Sequence, residues 1–193
     1  DLLARDARHQ ANRAFAALTQ MIERGLDAGK PASATLHTRR AEVERLIDEL
    51  TARPPKGAWK IRIHGDYHLG QVLASEGDLV IVDFEGEPSR PADERRIKST
   101  PLRDVAGMLR SFDYAGASSS LPDDEAARWV DEAQNAFLDG YTAGGGDTLS
   151  HPEVLNALTL DKALYEVVYE ARTRPTWLDL PTTAIDRLLE ERP

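Results

Sequence analysis

The sequence has no cysteine, few aromatic residues (6%) and a deficit of positive charge. Without cysteine there can be no disulfide framework and no thiolate metal site, which suits a cytoplasmic protein. Long apolar runs are missing too. Nothing approaches the roughly 20 residues a membrane span requires, and the charged opening "DLLARDARHQ" lacks the apolar stretch of a signal peptide. Position 1 is Asp rather than Met, which hints that the chain was cut from something longer. Lys and Arg number 24 against 33 Asp and Glu, a net charge of -9, and the basic residues are scattered among acids. Nucleic acid is therefore excluded as the main partner, since neutralising phosphates takes clustered cations. An anionic ligand would have to arrive with metal ions or meet a local basic patch.

What is present fits a soluble globular chain: 193 residues, 41% hydrophobic and 30% charged, enough for one domain or a lobe of a larger one. Apolar residues recur three or four apart over Leu2 to Leu26, with Gly25 and Gly29 at the end, and again over Thr38 to Leu50, where "ARPPKG" stops the pattern. The period then shortens. "WKIRIHGD" alternates Trp59, Ile61 and Ile63 with polar residues, and "QVLA" and "LVIVDF" are short β-branched runs joined by the turn-forming "SEGD". From Pro101 onward the helical period returns, over Leu102 to Ala115, Asp123 to Ala143, Pro152 to Tyr169 and Pro181 to Glu191. No internal repeat, sustained heptad or low-complexity tract is found. The pattern predicts an α+β chain, mainly helical, with a small β-hairpin set into it.

The hairpin region carries the chemistry. If "QVLA" and "LVIVD" pair antiparallel about a turn centred near Gly77, Gln71 falls opposite Asp83 at the open end, just after the loop that holds Asp66. A carboxylate and an amide oxygen facing one point suit Mg²⁺, which keeps few protein ligands and takes phosphate or water oxygens for the rest. Asp66, five residues before Gln71, is placed to accept a proton from a hydroxyl nucleophile. The same spacing occurs in the phosphotransfer template: a catalytic-loop Asp, an amide ligand five residues later and, after a hairpin, a metal-binding Asp. Here His64-Gly65-Asp66 stands for H-R-D, Gln71 for the usual Asn and Asp83-Phe84-Glu85 for D-F-G.

Other residues have two readings each. His64 and His68 have no thiolate to complete a zinc set, and His64 is expected to hydrogen-bond backbone within the loop. Asp104 is either an acid at a helix start or a buttress of the catalytic loop through backbone N–H groups. Arg90, Arg95, Arg96 and Lys98 form a basic patch that reads as a solvated loop, from which Arg96 or Lys98 could instead reach a sugar hydroxyl or a phosphate. Tyr165, Glu166, Tyr169, Glu170 and Arg172 make either a plain amphipathic helix surface or a carbohydrate wall of rings and charged groups.

The stretches "HGDYHLGQVL", "VIVDFEGEPSRP" and "ERRIKSTPLRDVAGMLRSFDYA", with the later "DKALYEVVYEARTRPTWLDLP", resemble the maltokinases, bacterial enzymes of the aminoglycoside-phosphotransferase-like class, particularly those fused to trehalose synthase. The likeness spans about Trp59 to Pro181. It implies ATP-dependent phosphorylation of maltose at the anomeric hydroxyl, giving maltose 1-phosphate for α-glucan synthesis, with trehalose synthase as a fused or complexed partner. Related kinases acting on glucosamine, an aminoglycoside or choline share the same base and metal ligands, and a noncatalytic docking lobe is the reading from another class. The resemblance makes Asp66 the base, Gln71 and Asp83 Mg²⁺ ligands, Glu85 a cofactor-binding residue and Asp104 a structural support. It puts His64, Lys98, Tyr165, Glu170 and Arg172 on the substrate side; Trp177 is as readily core. A kinase of this fold also needs an N-terminal lobe with a phosphate-holding Lys and an adenine hinge. Residues 1–193 are therefore expected to be the C-terminal lobe of a protein-kinase-like fold with an inserted β-hairpin, inactive alone.

Overall fold

A computed structural model describes residues 2–25, 31–52, 60–86, 91–148 and 150–190. The described residues are mainly helical, with one small antiparallel sheet: α1 (Leu2–Glu23), α2 (Pro31–Thr38), α3 (Arg40–Thr51), β1 (Val72–Ser75), β2 (Asp78–Ile81), α4 (Leu102–Ala117), α5 (Asp123–Ala143), α6 (Pro152–Thr173) and α7 (Asp179–Glu190). The chain divides into two compact units, residues 1–54 with 156–193, and residues 55–155. Among the described residues no helix is long and apolar enough to cross a membrane.

The first unit is a helical core. The apolar stripes of α1 and α3 meet those of α6 and α7, burying Leu18, Val43, Ile47, Leu160, Leu164 and Ile185 completely or nearly so. At about 1.5–3 kcal/mol for each large side chain taken out of water, this burial is the unit's main driving force. α1 ends where Gly25 adopts a φ of +64°, a left-handed conformation that breaks the helical ladder. Pro175 stops α6 a turn beyond the expected Tyr169, because the residue before a proline avoids the helical region. The sequence pattern gave no sign of α2. At eight residues it is too short to stand alone in water, and the fully buried Leu36 holds it to the same core.

The second unit is built on α4 and α5. Leu102, Val105, Ala106 and Met108 of α4 are buried. Where the end of α4 meets α5, the two helices approach so closely that a Cβ on Gly116 would lie 2.4 Å from Val130 Cγ2. The sheet is the hairpin β1–β2, but its register differs by one from the expected pairing. Val72 faces Ile81 and Ser75 faces Asp78, so the residue opposite Gln71 is Val82 rather than Asp83. The cause is the turn: Glu76 and Gly77 both have positive φ, +51° and +89°, a two-residue primed turn that matches strand twist and fixes the pairing. Of the strand expected in "WKIRIHGD", Trp59 lies outside the described residues, as does Arg90 of the basic loop. Ile61 makes only an isolated antiparallel bridge with Ser99.

Gly116→Ala should force the α4–α5 contact apart and lower stability by about 1–3 kcal/mol, the usual range for overpacking. Urea denaturation monitored by circular dichroism reads this, and an unchanged midpoint would show that the helices can separate freely.

Candidate functional site

The loop from His64 to Gln71 is held mainly through backbone groups. Asp104, in the first turn of α4, accepts the N–H of His64 at 2.7 Å and that of Gly65 at 2.8 Å, one on each carboxylate oxygen. Both bonds are charge-assisted and join residues 40 and 39 apart in sequence. Burial raises the Asp104 carboxyl above the ordinary 3.8, and this outweighs the two N–H bonds, which act in the opposite sense. The Tyr67 phenol is raised as well, first by burial and then by the Asp104 charge.

His64 is buried, and both of its ring nitrogens turn inward. Nε2 donates to the Val82 carbonyl at 2.7 Å, so the proton sits on that nitrogen, and Nδ1 accepts the Asp66 N–H at 3.3 Å. The ring packs against Tyr67 and Phe84, with centroids 5.5 and 5.0 Å away. His64, expected on the substrate side, is thus placed inside the loop. Val82 joins the pieces: its N–H donates to the Gln71 carbonyl at 3.0 Å while its carbonyl takes the His64 ring.

The next residue, Asp83, has a φ of +62°. Asp tolerates this left-handed conformation better than most residues, at a local cost, and such strain concentrates at functional sites. It bends the chain out of β2 and brings the carboxylate back, so that the Gln71 Nε2 donates to Asp83 Oδ2 at 3.1 Å. Gln71 and Asp83 therefore meet through their side chains although the register does not pair them. Asp66 sits half-buried on the same loop, five residues before Gln71.

Close backbone approach fixes the segment after Asp83. Gly65 (φ +85°) and Gly86 (φ +77°) pack back to back, and a Cβ on Gly65 would stand 3.4 Å from the Gly86 Cα. Arg95 reaches the same segment, donating from Nη1 to the Glu85 carbonyl at 3.2 Å while its stem lies on Gly86. Sequence reasoning put Arg95 in a solvated patch. A single basic residue 12 positions beyond Asp83 gives no sign of this contact in the sequence. Glu85 and Lys98 are exposed.

The other expected substrate residues belong to the first unit. Tyr165 is half-buried, with Lys162 Nζ 5.0 Å from its ring centroid, and Arg172 is exposed. Glu170 is 1% exposed and accepts from Arg174 Nε and Nη2 at 3.0 and 2.7 Å. The Arg174 guanidinium also lies over the rings of Tyr169 and Trp177, 5.5 and 5.2 Å from their centroids, so it organises both aromatics and the buried acid.

Gln71 meets the Asp83 carboxylate through its amide nitrogen, and a half-turn of the amide would bring its oxygen to the same place, so the donor types of the pair fit Mg²⁺ shared with phosphate oxygens. Among the described residues no group of three or more His, Cys, Asp or Glu side chains converges as an all-protein cage would require.

The family model described as the phosphotransferase enzyme family (APH) matches residues 2–157, and the chain belongs to that family. Among curated proteins it is similar to the glucosamine kinase of Streptacidiphilus jiangxiensis, 34% identical over 163 residues (80% of this chain, 36% of that protein). The glucosamine kinase of Mycolicibacterium smegmatis is likewise 34% identical, over 192 residues (91% of this chain, 46% of that protein). Among solved structures, glucosamine kinase in one crystal form superposes with a TM-score of 0.79 at 26% identity, covering 98% of this chain and 46% of that one. A glucosamine kinase in complex with glucosamine, ADP and inorganic phosphate gives 0.75 at 26% identity, covering 96% of this chain and 45% of that one. The fold is protein-kinase-like, and the chain spans less than half the length of these relatives.

Asp104→Ala should leave the His64 and Gly65 N–H groups without their acceptor and lower stability by about 1–3 kcal/mol. Because the folded-state carboxyl binds its proton more tightly than the unfolded chain does, its contribution is fully present below 3.8 and is lost as pH rises through the raised value. The stability gap between wild type and Asp104→Ala should therefore widen from pH 7 toward pH 4. Paired urea melts across that range measure it, and a gap that narrows on acidification would show that the loop prefers the ionised carboxylate.

Proposed function

We propose that residues 1–193 are the C-terminal lobe of a longer small-molecule kinase, carrying the base and metal ligands for ATP-dependent phosphorylation of a sugar hydroxyl. The observation that carries this reading is the meeting of Gln71 and Asp83 at 3.1 Å, on segments that the His64 ring ties to the loop bearing Asp66. The hairpin supports the assignment as a lobe: Leu73, Leu79 and Val80 are exposed on a two-stranded sheet, which is marginal in water without cover. The rest of the longer protein would provide that cover.

In this reading Asp66 accepts the hydroxyl proton as the sugar oxygen attacks the γ-phosphorus of ATP. The bond from that phosphorus to the β–γ bridging oxygen breaks, and ADP departs. Gln71 and Asp83 would hold Mg²⁺, which when bound neutralises charge on the phosphates. Glu85 lies beside this metal position in sequence. Lys98, in the same unit as Asp66, is assigned to the acceptor, and the resemblance implies the same role for Tyr165, Arg172 and, behind Arg174, Glu170.

Glucosamine is the acceptor best supported, because the relatives that align with most of this chain are glucosamine kinases. A net charge of -9 also favours an amine-bearing sugar over a neutral one. Maltose is the second reading, favoured by the likeness of "HGDYHLGQVL" and the C-terminal stretch to maltokinases, and trehalose synthase as a partner belongs with it.

In the full-length protein Asp66→Asn should lower kcat by about 10²- to 10⁴-fold, as for loss of a positioned base. Near wild-type ADP release would remove Asp66 from that role. Asp83→Ala should raise the Mg²⁺ concentration needed for half-maximal rate, and an unaltered requirement counts against Asp83 as a ligand. Parallel assays with glucosamine and maltose decide the acceptor: ADP release that depends on maltose alone would overturn the glucosamine reading.

A further inference from the structure

α4 touches the loop at more places than Asp104. Asp104, Gly107 and Ser111 stand at i, i+3 and i+7, one face of the helix. Asp104 takes the N–H groups of His64 and Gly65. A Cβ on Gly107 would lie 2.7 Å from the Tyr67 carbonyl oxygen, so only a residue without a side chain admits the backbone there. Ser111 Oγ accepts the Leu69 N–H at 2.9 Å. The contacts follow the same order along the helix and along the loop.

The third contact has a defined purpose. Leu69–Gln71 is a single 3-10 turn, whose leading N–H groups have no partner inside the turn. Ser111 takes the first, His68 Nδ1 takes that of Gly70 at 3.1 Å, and the His68 carbonyl takes that of Gln71 at 2.9 Å. All three donors are thereby satisfied, and the turn that aims the Gln71 amide is anchored to α4 through one hydroxyl.

We propose that Gly107 and Ser111 are positioning residues with separate tasks. Gly107 sets the depth of Tyr67 and hence of the adjoining Asp66, whereas Ser111 sets the turn that presents Gln71. The proposal rests on the phosphotransfer reading of the loop.

The test uses the full-length protein, with ADP release from glucosamine and Mg-ATP followed as Mg²⁺ is varied, and with hydrogen exchange of the Leu69 amide in parallel. Ser111→Ala should raise the half-saturating Mg²⁺ about three- to tenfold, the equivalent of one net hydrogen bond, and speed exchange at Leu69. Ser111→Thr keeps the hydroxyl and should restore both. Gly107→Ala should lower kcat on the order of 10- to 100-fold, because sub-ångström displacement of a reacting group is costly, and leave half-saturating Mg²⁺ unchanged. A merely structural role would lower the melting temperature of both variants without separating the two kinetic signatures. Wild-type Mg²⁺ dependence and wild-type Leu69 exchange in Ser111→Ala overturn the proposal. If the wild-type protein transfers no phosphoryl group to any sugar, the phosphotransfer reading fails on its own. The Leu69 exchange then decides whether Ser111 anchors the turn.

Discussion

The grip of one carboxylate on two backbone amides is the constraint from which the candidate site follows. Asp104 takes the N–H groups of His64 and Gly65 and so fixes the start of the loop against α4. With the His64 backbone fixed, its ring can bridge to Val82, and Val82 is in turn bonded to Gln71. One acid therefore couples the loop, the mouth of the hairpin and the residue before Asp83. The interaction is made at the expense of desolvating the acid, which is why its carboxyl is raised rather than depressed. A backbone-directed acceptor specifies the path of the loop without using any of the loop's side chains. The frame is built from backbone groups and from His64, whose ring nitrogens are both engaged within it.

Much of this was legible in the sequence, for reasons that differ between elements. α5 runs Asp123–Ala143 as its acidic start and trailing glycines indicate, because the signals for both ends are local. The juxtaposition of Gln71 and Asp83 was also anticipated, though for the wrong geometric reason. Register depends on the turn, and Glu76 in a left-handed conformation cannot be read from a stretch that looks like a turn centred on Gly77. The side chains meet because Asp83 leaves the strand with positive φ. That conformation is set by tertiary surroundings and leaves no mark on composition. α2 was missed for a related reason, since packing alone stabilises it.

The contacts hardest to foresee are those in which the sequence supplies an absence of atoms. Gly107 matters because backbone passes where a Cβ would stand, and Gly65 and Gly86 because their positive φ disfavours any side chain. A glycine in a helical pattern reads as a small propensity loss of about 1 kcal/mol, and only the path of another segment reveals its use. Arg95 shows the complementary case. Its charge suggested a solvated loop, yet its stem covers Gly86 and its guanidinium holds the Glu85 carbonyl, so a cation serves as packing and as backbone clamp together.

The proposed division of labour follows from where the charges lie. Asp66, Gln71 and Asp83 fall within 18 consecutive residues of the second unit, joined by short hydrogen bonds and a two-residue turn. Chemistry common to many acceptors can be encoded there because it needs only a base and two oxygen ligands at fixed separation. Acceptor choice asks for something else, a surface whose hydrogen bonds distinguish one sugar from another. The first unit holds two residues proposed for that task, Tyr165 and Arg172, and next to them in sequence the Arg174 guanidinium, which is braced by a buried acid and two aromatic rings. Rigid bracing favours selectivity, because a guanidinium that cannot reorient leaves the wrong ligand with unpaired polar groups.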